Sequence, residues 1–220
     1  MTDPAFAAYV HRQAALDFGG RRLTFATSLD LFSSHQVDVG SRLLLRTLEP
    51  VLAARAEHAE APASVLDVGC GYGVLGIALA ALPAVGEAVL VDRDTLGLDF
   101  ARANAAANGL GARVTVAPSL GVDDLGEDAR FDLVVSNVPG KAGDGPIAAM
   151  LLGMLGVLAP GGLAAVVVIE PIRDLVAATL ARDDLAGAIE VTLRRDTADY
   201  SVFHYRPAAG ASFPRAGGFG

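Results

Sequence analysis

Residues 65–76 read VLDVGCGYGVLG, in which a short apolar run meets a cluster of glycines and a second apolar segment begins. Glycines between a strand and a helix let the backbone turn tightly and let a ligand approach the main chain closely. The stretch therefore predicts a strand, a ligand-binding turn and a helix, the unit from which open α/β sheets are built.

The rest of the chain repeats this unit. Apolar runs without polar alternation, with helical stretches between them, lie at residues 64–68, 89–91, 114–116, 131–135 and 163–169. Such runs are typical of parallel strands that helices cover on both faces. We therefore predict an α/β fold with a Rossmann-like, doubly wound and mostly parallel sheet. Strands at 188–194 and 201–206 are close enough to form an antiparallel hairpin at the sheet edge, which places His204 in an edge strand.

Three parts of the chain differ in pattern. They are a small N-terminal unit with a hairpin, helices and a lid segment, a core, and a mobile tail, at residues 1–60, 61–206 and 207–220. In the first part, Gly19-Gly20 marks the hairpin turn, and Pro50 separates predicted helices at 42–48 and 51–58.

Composition excludes several classes of protein. The 220 residues are 52% hydrophobic, which rules out intrinsic disorder, and a single cysteine rules out a disulfide framework. No apolar run reaches about 20 residues, the length that spans a bilayer. The N-terminus lacks a signal-peptide pattern, so we expect a cytoplasmic protein without a membrane partner. A net charge of −8 argues against a large basic surface for nucleic acid. No cluster of histidine or cysteine has metal-ligand spacing, so no metal is predicted.

The acids near the glycines indicate the ligand. Gly71, Gly73 and Gly76 form a G-x-G-x-x-G pattern that would suggest a dinucleotide. Asp67 argues against one, because a carboxylate two residues before the first glycine of the cluster would repel a pyrophosphate and attract an ammonium group. Asp92 ends the next strand, where a carboxylate can bind a ribose diol. A cationic amino acid joined to adenosine satisfies both acids, which predicts S-adenosylmethionine as the cofactor.

The sequence resembles the class I S-adenosylmethionine-dependent methyltransferases over roughly residues 64–206. The resemblance rests on D-x-G-x-G-x-G at residues 67–73, on the later acid Asp92 and on S-N-x-P at residues 136–139. Residues 31–45, LFSSHQVDVGSRLLL, resemble the F-S-x-x-x-L-D-x-G-S/T-x-L-L segment of the small-domain subfamily that includes ribosomal RNA guanine-N2 methyltransferases.

The resemblance implies a set of cofactor-binding residues. They are Asp38, Asp67, Gly69, Gly71, Gly73, Asp92, Arg93, Ser119, Leu120 and Asn137. In similar enzymes an acid often holds the adenine amino group at the position of Ser119, so adenine recognition here relies on that hydroxyl and on backbone amides. The alternative that Ser119 belongs to an ordinary turn begun by Pro118 stays open.

Residues 136–141 read SNVPGK and follow the fourth predicted strand. The related motif N-P-P-[FYW] of amino-methylating enzymes implies that Asn137 and Pro139 are catalytic. In that motif the asparagine side chain and the next backbone carbonyl accept hydrogen bonds from the target amine. Val138 and Gly140 depart from the motif, and the lost aromatic removes a stacking platform worth about 1–3 kcal/mol per base.

Four residues are predicted to bind the methyl acceptor. They are Phe32, His35, Gln36 and Lys141, which is the only lysine of the chain. Phe32 or Tyr72 could replace the lost stacking ring. Lys141 could meet an acceptor carboxylate or phosphate, or could be a solvated loop lysine. For His35, an ordinary polar loop residue is the favoured alternative.

The predicted activity is methyl transfer from S-adenosylmethionine to a nitrogen. A small-molecule acceptor is favoured over RNA because of the net charge of −8, the altered acceptor motif and the lack of a full second domain. One alternative is a ribosomal RNA guanine-N2 methyltransferase. Another is a cyclase, lyase or binding module that uses S-adenosylmethionine without methyl transfer. The sequence carries no signal for an oligomeric state.

Overall fold

The computed structural model describes residues 8–31, 36–58 and 62–213. In chain order, its strands are β1 (Arg12–Phe18), β2 (Arg21–Thr27), β3 (Ser64–Val68), β4 (Glu87–Asp92), β5 (Val114–Pro118), β6 (Phe131–Asn137), β7 (Leu158–Ile169), β8 (Ile189–Asp196) and β9 (Tyr200–Pro207). Its α-helices are α1 (Val39–Glu57), α2 (Val74–Ala80), α3 (Thr95–Ala107), α4 (Asp144–Gly156) and α5 (Arg173–Leu180).

Seven strands form one sheet in the order β5-β4-β3-β6-β7-β9-β8. The first five of these run parallel, β9 is antiparallel to β7, and β8 is antiparallel to β9. The predicted doubly wound sheet with an antiparallel edge is therefore confirmed. The strand order reverses between β3 and β6, and open α/β sheets bind their ligands outside the carboxyl ends of the strands at such a point.

Helices cover both faces of the sheet because its strands are apolar on both sides. One face packs against α1, α2 and α3 through buried residues that include Leu44, Ile77 and Phe100. The other face packs against α4 and α5 through Leu151 and Val176 among others. Within the described ranges, no helix has the length and apolar character needed to cross a membrane.

The N-terminal hairpin forms as the glycine pair predicts. β1 and β2 pair antiparallel with Leu16 opposite Leu23, and the turn residues Gly19 and Gly20 have φ angles of +57° and +74°. Two-residue hairpin turns of this hand need positive φ at both positions, which glycine supplies without strain. Leu23 and Phe25 are fully buried in the same apolar cluster as the helices on that face, so the hairpin packs directly onto the core.

Two asparagines, Asn104 of α3 and Asn108 at the C-terminal cap of this helix, complete the outer edge of β2. The Asn104 side chain accepts a hydrogen bond from the Ala26 amide at 2.7 Å and donates to the Ala26 carbonyl at 3.1 Å. Asn108, one helical turn later, pairs in the same way with Thr24 at 3.1 and 2.8 Å. The backbone amides and carbonyls of Thr24 and Ala26 thus form the hydrogen bonds that a neighbouring strand would otherwise supply.

The prediction of two helices separated by Pro50 is wrong, because α1 runs through this proline. Leu44, Leu48 and Leu52 are buried on one face of the helix, on both sides of the proline. Pro50 and the preceding turn at Arg46 are exposed, so water can satisfy the carbonyl that proline leaves without a donor. Packing of the leucine face therefore outweighs the local cost of the proline.

Strand β7 also begins earlier than the sequence predicts. It starts at Leu158, which pairs with Phe131, and the register shifts before Leu163 pairs with Leu133. The Pro160-Gly161-Gly162 turn lies within this irregularity, with Gly161 at a φ of +77°. A bulge absorbs the turn residues without ending the strand.

The expectation that His204 lies in an edge strand is wrong. Its strand β9 lies between β7 and β8, and the side chain is 1% exposed. Its Nε2 atom lies 2.9 Å from the Thr47 hydroxyl, which itself donates to the Leu44 carbonyl, so the ring nitrogen is the donor. Burial lowers the pKa of His204 to about 4, and the ring is therefore neutral at physiological pH.

Candidate active site

The glycine turn lies between β3 and α2, at the carboxyl edge of the sheet. Gly69, Gly71 and Gly73 have φ angles of +71°, +51° and +91°, a region that L side chains rarely adopt. A Cβ atom on Gly69 or Gly71 would meet open space, whereas one on Gly73 would lie 2.7 Å from Cδ1 of Ile77. The first two glycines thus leave a face open to a ligand, and the third permits close packing of the helix on the sheet.

The amides of this turn are used within the fold. Gly69 and Cys70 donate to the Val91 carbonyl at 2.8 and 3.0 Å, and Gly71 donates to Oδ2 of Asp92 at 2.8 Å. A pyrophosphate site needs such amides to point at the ligand. Their engagement with β4 agrees with the argument from sequence against a dinucleotide.

Asp67, at the end of β3, is a buried acid with one unpartnered oxygen. The residue is 1% exposed, and Oδ2 accepts a hydrogen bond from the Gly76 amide at 2.8 Å. Oδ1 is buried and has no hydrogen-bond partner among the described residues. Burial, followed by the charge of Asp92, raises the pKa of Asp67 to about 7 although the Gly76 amide opposes the shift. A buried carboxylate oxygen without a partner is costly unless a ligand supplies a donor, and the ammonium group of S-adenosylmethionine fits this need.

Asp92 ends β4 with a fixed carboxylate. Its Oδ2 accepts from Gly71 at 2.8 Å and its Oδ1 accepts from the Asp94 amide at 2.9 Å. Each carboxylate oxygen can accept a second hydrogen bond, so the group suits the two hydroxyls of a ribose. The next residue, Arg93, is exposed. The open glycines, the buried Asp67 and the half-buried Asp92 together fit the cofactor predicted from the sequence.

Ser119 is buried in its own turn after β5. Its hydroxyl donates to the Gly121 carbonyl at 3.1 Å and accepts from the Asp124 amide at 3.2 Å. The alternative of a turn-forming serine therefore has direct geometric support. Leu120 is 61% exposed beside it, an apolar surface of the kind against which a planar adenine can pack. A role for either residue in cofactor binding stays a prediction.

Asn137 ends β6, and its orientation is set by α1. The side-chain amide donates to Oδ2 of Asp38 at 2.8 Å and to the Ser41 hydroxyl at 3.0 Å. Asp38 is the N-cap of α1, and its Oδ2 also accepts from the Ser41 amide at 2.9 Å. Because both acceptors bind Nδ2, the carbonyl oxygen Oδ1 is the side-chain atom left to accept from a target amine. Asp38 was predicted to bind the cofactor, and the structure brings it against Asn137.

The loop after Asn137 contains the remaining motif residues. Pro139 is exposed, and its carbonyl accepts from the Ala142 amide at 3.1 Å in a turn. A Cβ atom on Gly140 would lie 2.5 Å from Cδ1 of Ile169, so the isoleucine occupies the space beside this glycine. Lys141 is exposed next to it.

The other predicted acceptor residues divide into two groups. Phe32 and His35 lie outside the described residues, and Gln36 is exposed. Tyr72 is only 5% exposed and meets Phe25 edge-on with ring centroids 6.1 Å apart. Tyr72 therefore has no open ring face on which a base could stack.

The described part of the chain lacks a cluster of metal ligands, and its cysteine is buried. It contains no group of three or more histidine, cysteine, aspartate or glutamate side chains that could hold a metal ion. Cys70 is buried in the glycine turn, and burial raises the pKa of its thiol well above the usual range. A protonated, buried thiol is not a nucleophile.

Sequence reasoning missed Tyr200, the first residue of β9. Its hydroxyl donates to Oδ1 of Asp38 at 3.2 Å, which connects β9 to Asn137. An aromatic at the start of a strand is a weak signal by itself. Only the antiparallel pairing of Tyr200 with Ile169 brings it to the acceptor end of the sheet.

Comparison with known proteins identifies the family of the chain. The family described as methyltransferase small domain matches residues 22–183 of the chain. The curated ribosomal RNA small subunit methyltransferase C of Klebsiella pneumoniae subsp. pneumoniae is 38% identical over 117 residues, 53% of this chain and 30% of that protein. Its counterpart from Salmonella choleraesuis is 39% identical over the same length. The chain thus spans less than a third of these relatives.

Solved structures share the fold. The 16S rRNA N2 methyltransferase RsmC of Thermus thermophilus, in complex with AdoMet and guanosine, has a TM-score of 0.70 and 28% identity, and the match covers 88% of this chain and 49% of that one. A ribosomal protein L11 methylase from Lactobacillus delbrueckii subsp. bulgaricus has a TM-score of 0.65 at 18% identity, which supports the fold alone. The family match, which spans most of the chain, shows that this protein belongs to the methyltransferase small domain family.

Proposed function

We propose that this methyltransferase transfers a methyl group from S-adenosylmethionine to the exocyclic amine N2 of a guanine in ribosomal RNA. The observation that carries the proposal is the orientation of Asn137, whose amide hydrogens are bound by Asp38 and Ser41 so that Oδ1 can accept from an amine. The names of the relatives, ribosomal RNA methyltransferases, support RNA as the source of that amine. The small-molecule acceptor favoured by the sequence has no such support, and we do not retain it.

The residues of the chain would act mainly by alignment. S-adenosylmethionine, when bound, supplies a methyl group on a positively charged sulfur. Asp67 would hold the ammonium group, Asp92 the ribose, and Oδ1 of Asn137 one N–H of the guanine amine. This hydrogen bond turns the nitrogen toward the methyl group. As the N–C bond forms, the S–C bond breaks and S-adenosylhomocysteine leaves, and the methylated nitrogen then loses its proton to water. Alignment of the two reactants can contribute about 7–11 kcal/mol to this transfer.

Contacts to the base and the RNA backbone belong to the same proposal. Gly140 leaves no aromatic side chain in the loop after β6, and Ile169 fills the space beside it. Phe32 of the lid segment remains the proposed stacking ring. Lys141, exposed at the end of the acceptor motif, would meet a phosphate.

A methyl-transfer assay tests the proposal. The protein is given labelled S-adenosylmethionine and ribosomal RNA that lacks N2-methylguanine, either free or in small subunits, and the modified nucleoside is identified after digestion. We expect N2-methylguanosine and S-adenosylhomocysteine from the wild type. Asn137→Ala should lose activity by a factor of about 100 or more, as the group that orients the amine is removed.

The control is Asn108→Ala, which removes an asparagine amide from the hairpin contact, away from the glycine turn. It should retain activity when the protein is folded. Cofactor binding without methylation of RNA would overturn the proposal. Formation of methylthioadenosine would instead indicate a cyclase or lyase reaction.

A further inference from the structure

Tyr200 joins the closing antiparallel strand to the acceptor end of the site. It begins β9, where it pairs with Ile169, the last residue of β7. Its hydroxyl reaches across to the start of α1 and donates to Oδ1 of Asp38 at 3.2 Å. The two groups are 162 positions apart in the sequence.

The Asp38 carboxylate gathers donors from three elements. Oδ1 accepts from Tyr200 of β9, while Oδ2 accepts from the Ser41 amide of α1 at 2.9 Å and from Nδ2 of Asn137 of β6 at 2.8 Å. A carboxylate can only accept hydrogen bonds. It therefore selects the orientation of the Asn137 amide that points nitrogen toward α1. The flipped amide would place its oxygen against the carboxylate and would present a donor to the target amine.

A glycine near the start of α1 allows the tyrosine ring to lie close to the helix. A Cβ atom on Gly40 would lie 2.8 Å from both Cδ1 and Cε1 of Tyr200, so the close approach of the ring requires a residue without a side chain. Partial burial and the charge of Asp38 raise the pKa of Tyr200. The hydroxyl thus keeps its proton and remains a donor at physiological pH.

The backbone of Tyr200 is fixed without its hydroxyl. The amide and hydroxyl of Thr197 donate to the Tyr200 carbonyl at 2.8 and 2.9 Å, and the Tyr200 amide donates to the Thr197 hydroxyl at 3.0 Å. Arg173 donates to the Thr197 carbonyl at 2.7 Å. A phenylalanine at this position would keep all of these contacts and the ring packing. It would lose only the hydrogen bond to Asp38.

We propose that Tyr200 is a positioning residue for methyl transfer: it fixes the Asp38 carboxylate, which in turn holds the Asn137 amide with Oδ1 facing the target amine. This inference rests on the proposed function, because the role of the Asn137 oxygen is part of that function. In this proposal Tyr200 acts through its hydrogen bond to Asp38 and not by contact with the cofactor or the acceptor amine.

The test compares Tyr200→Phe with Tyr205→Phe. Tyr205 lies on the same strand, and its hydroxyl donates to the Leu151 carbonyl of α4 at 3.1 Å, on the other layer of the protein. We expect Tyr200→Phe to lower kcat on RNA about tenfold, the effect of losing a hydrogen bond to a charged group, with the calorimetric Kd for S-adenosylmethionine unchanged. Tyr205→Phe should lower Tm and leave kcat unchanged well below the melting temperature. Equal kcat for the wild type and Tyr200→Phe would overturn the inference.

A second measurement does not depend on the acceptor. In ¹⁵N-labelled protein, the side-chain amide signals of Asn137 are identified by their loss in Asn137→Ala. Tyr200→Phe should shift them and speed their exchange with solvent, and Tyr205→Phe should not. Unchanged signals in Tyr200→Phe would refute the inference. A wild type that is inactive on RNA would refute the proposed function alone, and the amide signals would still decide the role of Tyr200.

Discussion

Replacing Asp67 with asparagine should show how much stability this buried acid costs and whether it binds the cofactor. Burial raises the pKa of Asp67 from 3.8 to about 7. Each pKa unit corresponds to about 1.4 kcal/mol, so holding the ionised carboxylate inside the free protein costs about 4 kcal/mol. Asp67→Asn is nearly isosteric, and its amide oxygen can still accept from Gly76. The variant should therefore lose the charge and little else.

The sign of the pH dependence follows from the direction of the shift. Because the folded pKa lies above the unfolded value of 3.8, the stability that Asp67 contributes in its neutral form is complete below pH 3.8 and is lost as the pH rises to about 7. The asparagine variant stays neutral throughout. Its advantage over the wild type should be about 2 kcal/mol at pH 5 and about 4 kcal/mol at pH 8.

Urea denaturation followed by far-UV circular dichroism measures this difference at both pH values. Asp99→Asn is the control, since Asp99 forms an exposed ion pair with Arg102 on α3. That variant should differ from the wild type by less than about 1 kcal/mol at either pH. A variant Asp67→Asn that is no more stable than the wild type at pH 8 would contradict the argument from burial.

The same substitution tests the cofactor contact. An ammonium group beside Oδ1 favours the ionised carboxylate, so binding of S-adenosylmethionine to the wild type should release a proton near pH 7 and tighten between pH 6 and pH 8. Calorimetry in buffers of different ionisation enthalpy measures the proton count. Asp67→Asn should bind more weakly and without proton release. Wild-type affinity in the variant would exclude Asp67 as the ammonium site.

Three further substitutions have defined outcomes. Burial lowers the pKa of His204 to about 4, so the wild type should lose about 3 kcal/mol of stability as the pH falls from 6.5 to 4. In urea denaturation, the free energy of unfolding of His204→Gln should fall less over this pH range. An equal fall in the variant and the wild type would refute this. Gly71→Ala introduces a Cβ on the open face at positive φ, so calorimetry should show at least about tenfold weaker cofactor binding with a stability loss of only about 1–3 kcal/mol; unchanged affinity would place the cofactor elsewhere. Lys141→Ala should lower turnover on RNA far more than cofactor affinity, and equal turnover would make Lys141 an ordinary surface lysine.

The sheet could be predicted because its signals are local. Each parallel strand carries its own apolar run, and the glycine turn lies within residues 65–76. The errors arose where packing overrides local preference. Pro50 predicts a helix break, but the leucine face of α1 continues across it. The position of β9 inside the sheet depends on pairing with β7, which no local pattern encodes.

In the site, too, local motifs could be predicted and contacts between distant residues could not. Asp67 and Asp92 are recognisable from their spacing to the glycines, and their geometry suits the predicted cofactor. The acceptor end is built from contacts across the chain: Asp38 meets Asn137 over 99 positions and Tyr200 over 162. A motif places Asn137 but says nothing of what orients it. The orientation of Asn137 depends on contacts among the start of α1, β6 and β9.

Asn104 has a second partner that connects the N-terminal hairpin to the glycine turn. Besides pairing with Ala26, its amide nitrogen donates to the Tyr72 carbonyl at 2.9 Å, between Gly71 and Gly73. One buried side chain thus forms hydrogen bonds to both the hairpin and the glycine turn. If cofactor binding stabilises the contact of Asn104 with Ala26, thermodynamic reciprocity requires that loss of this contact weaken cofactor binding by the same free energy.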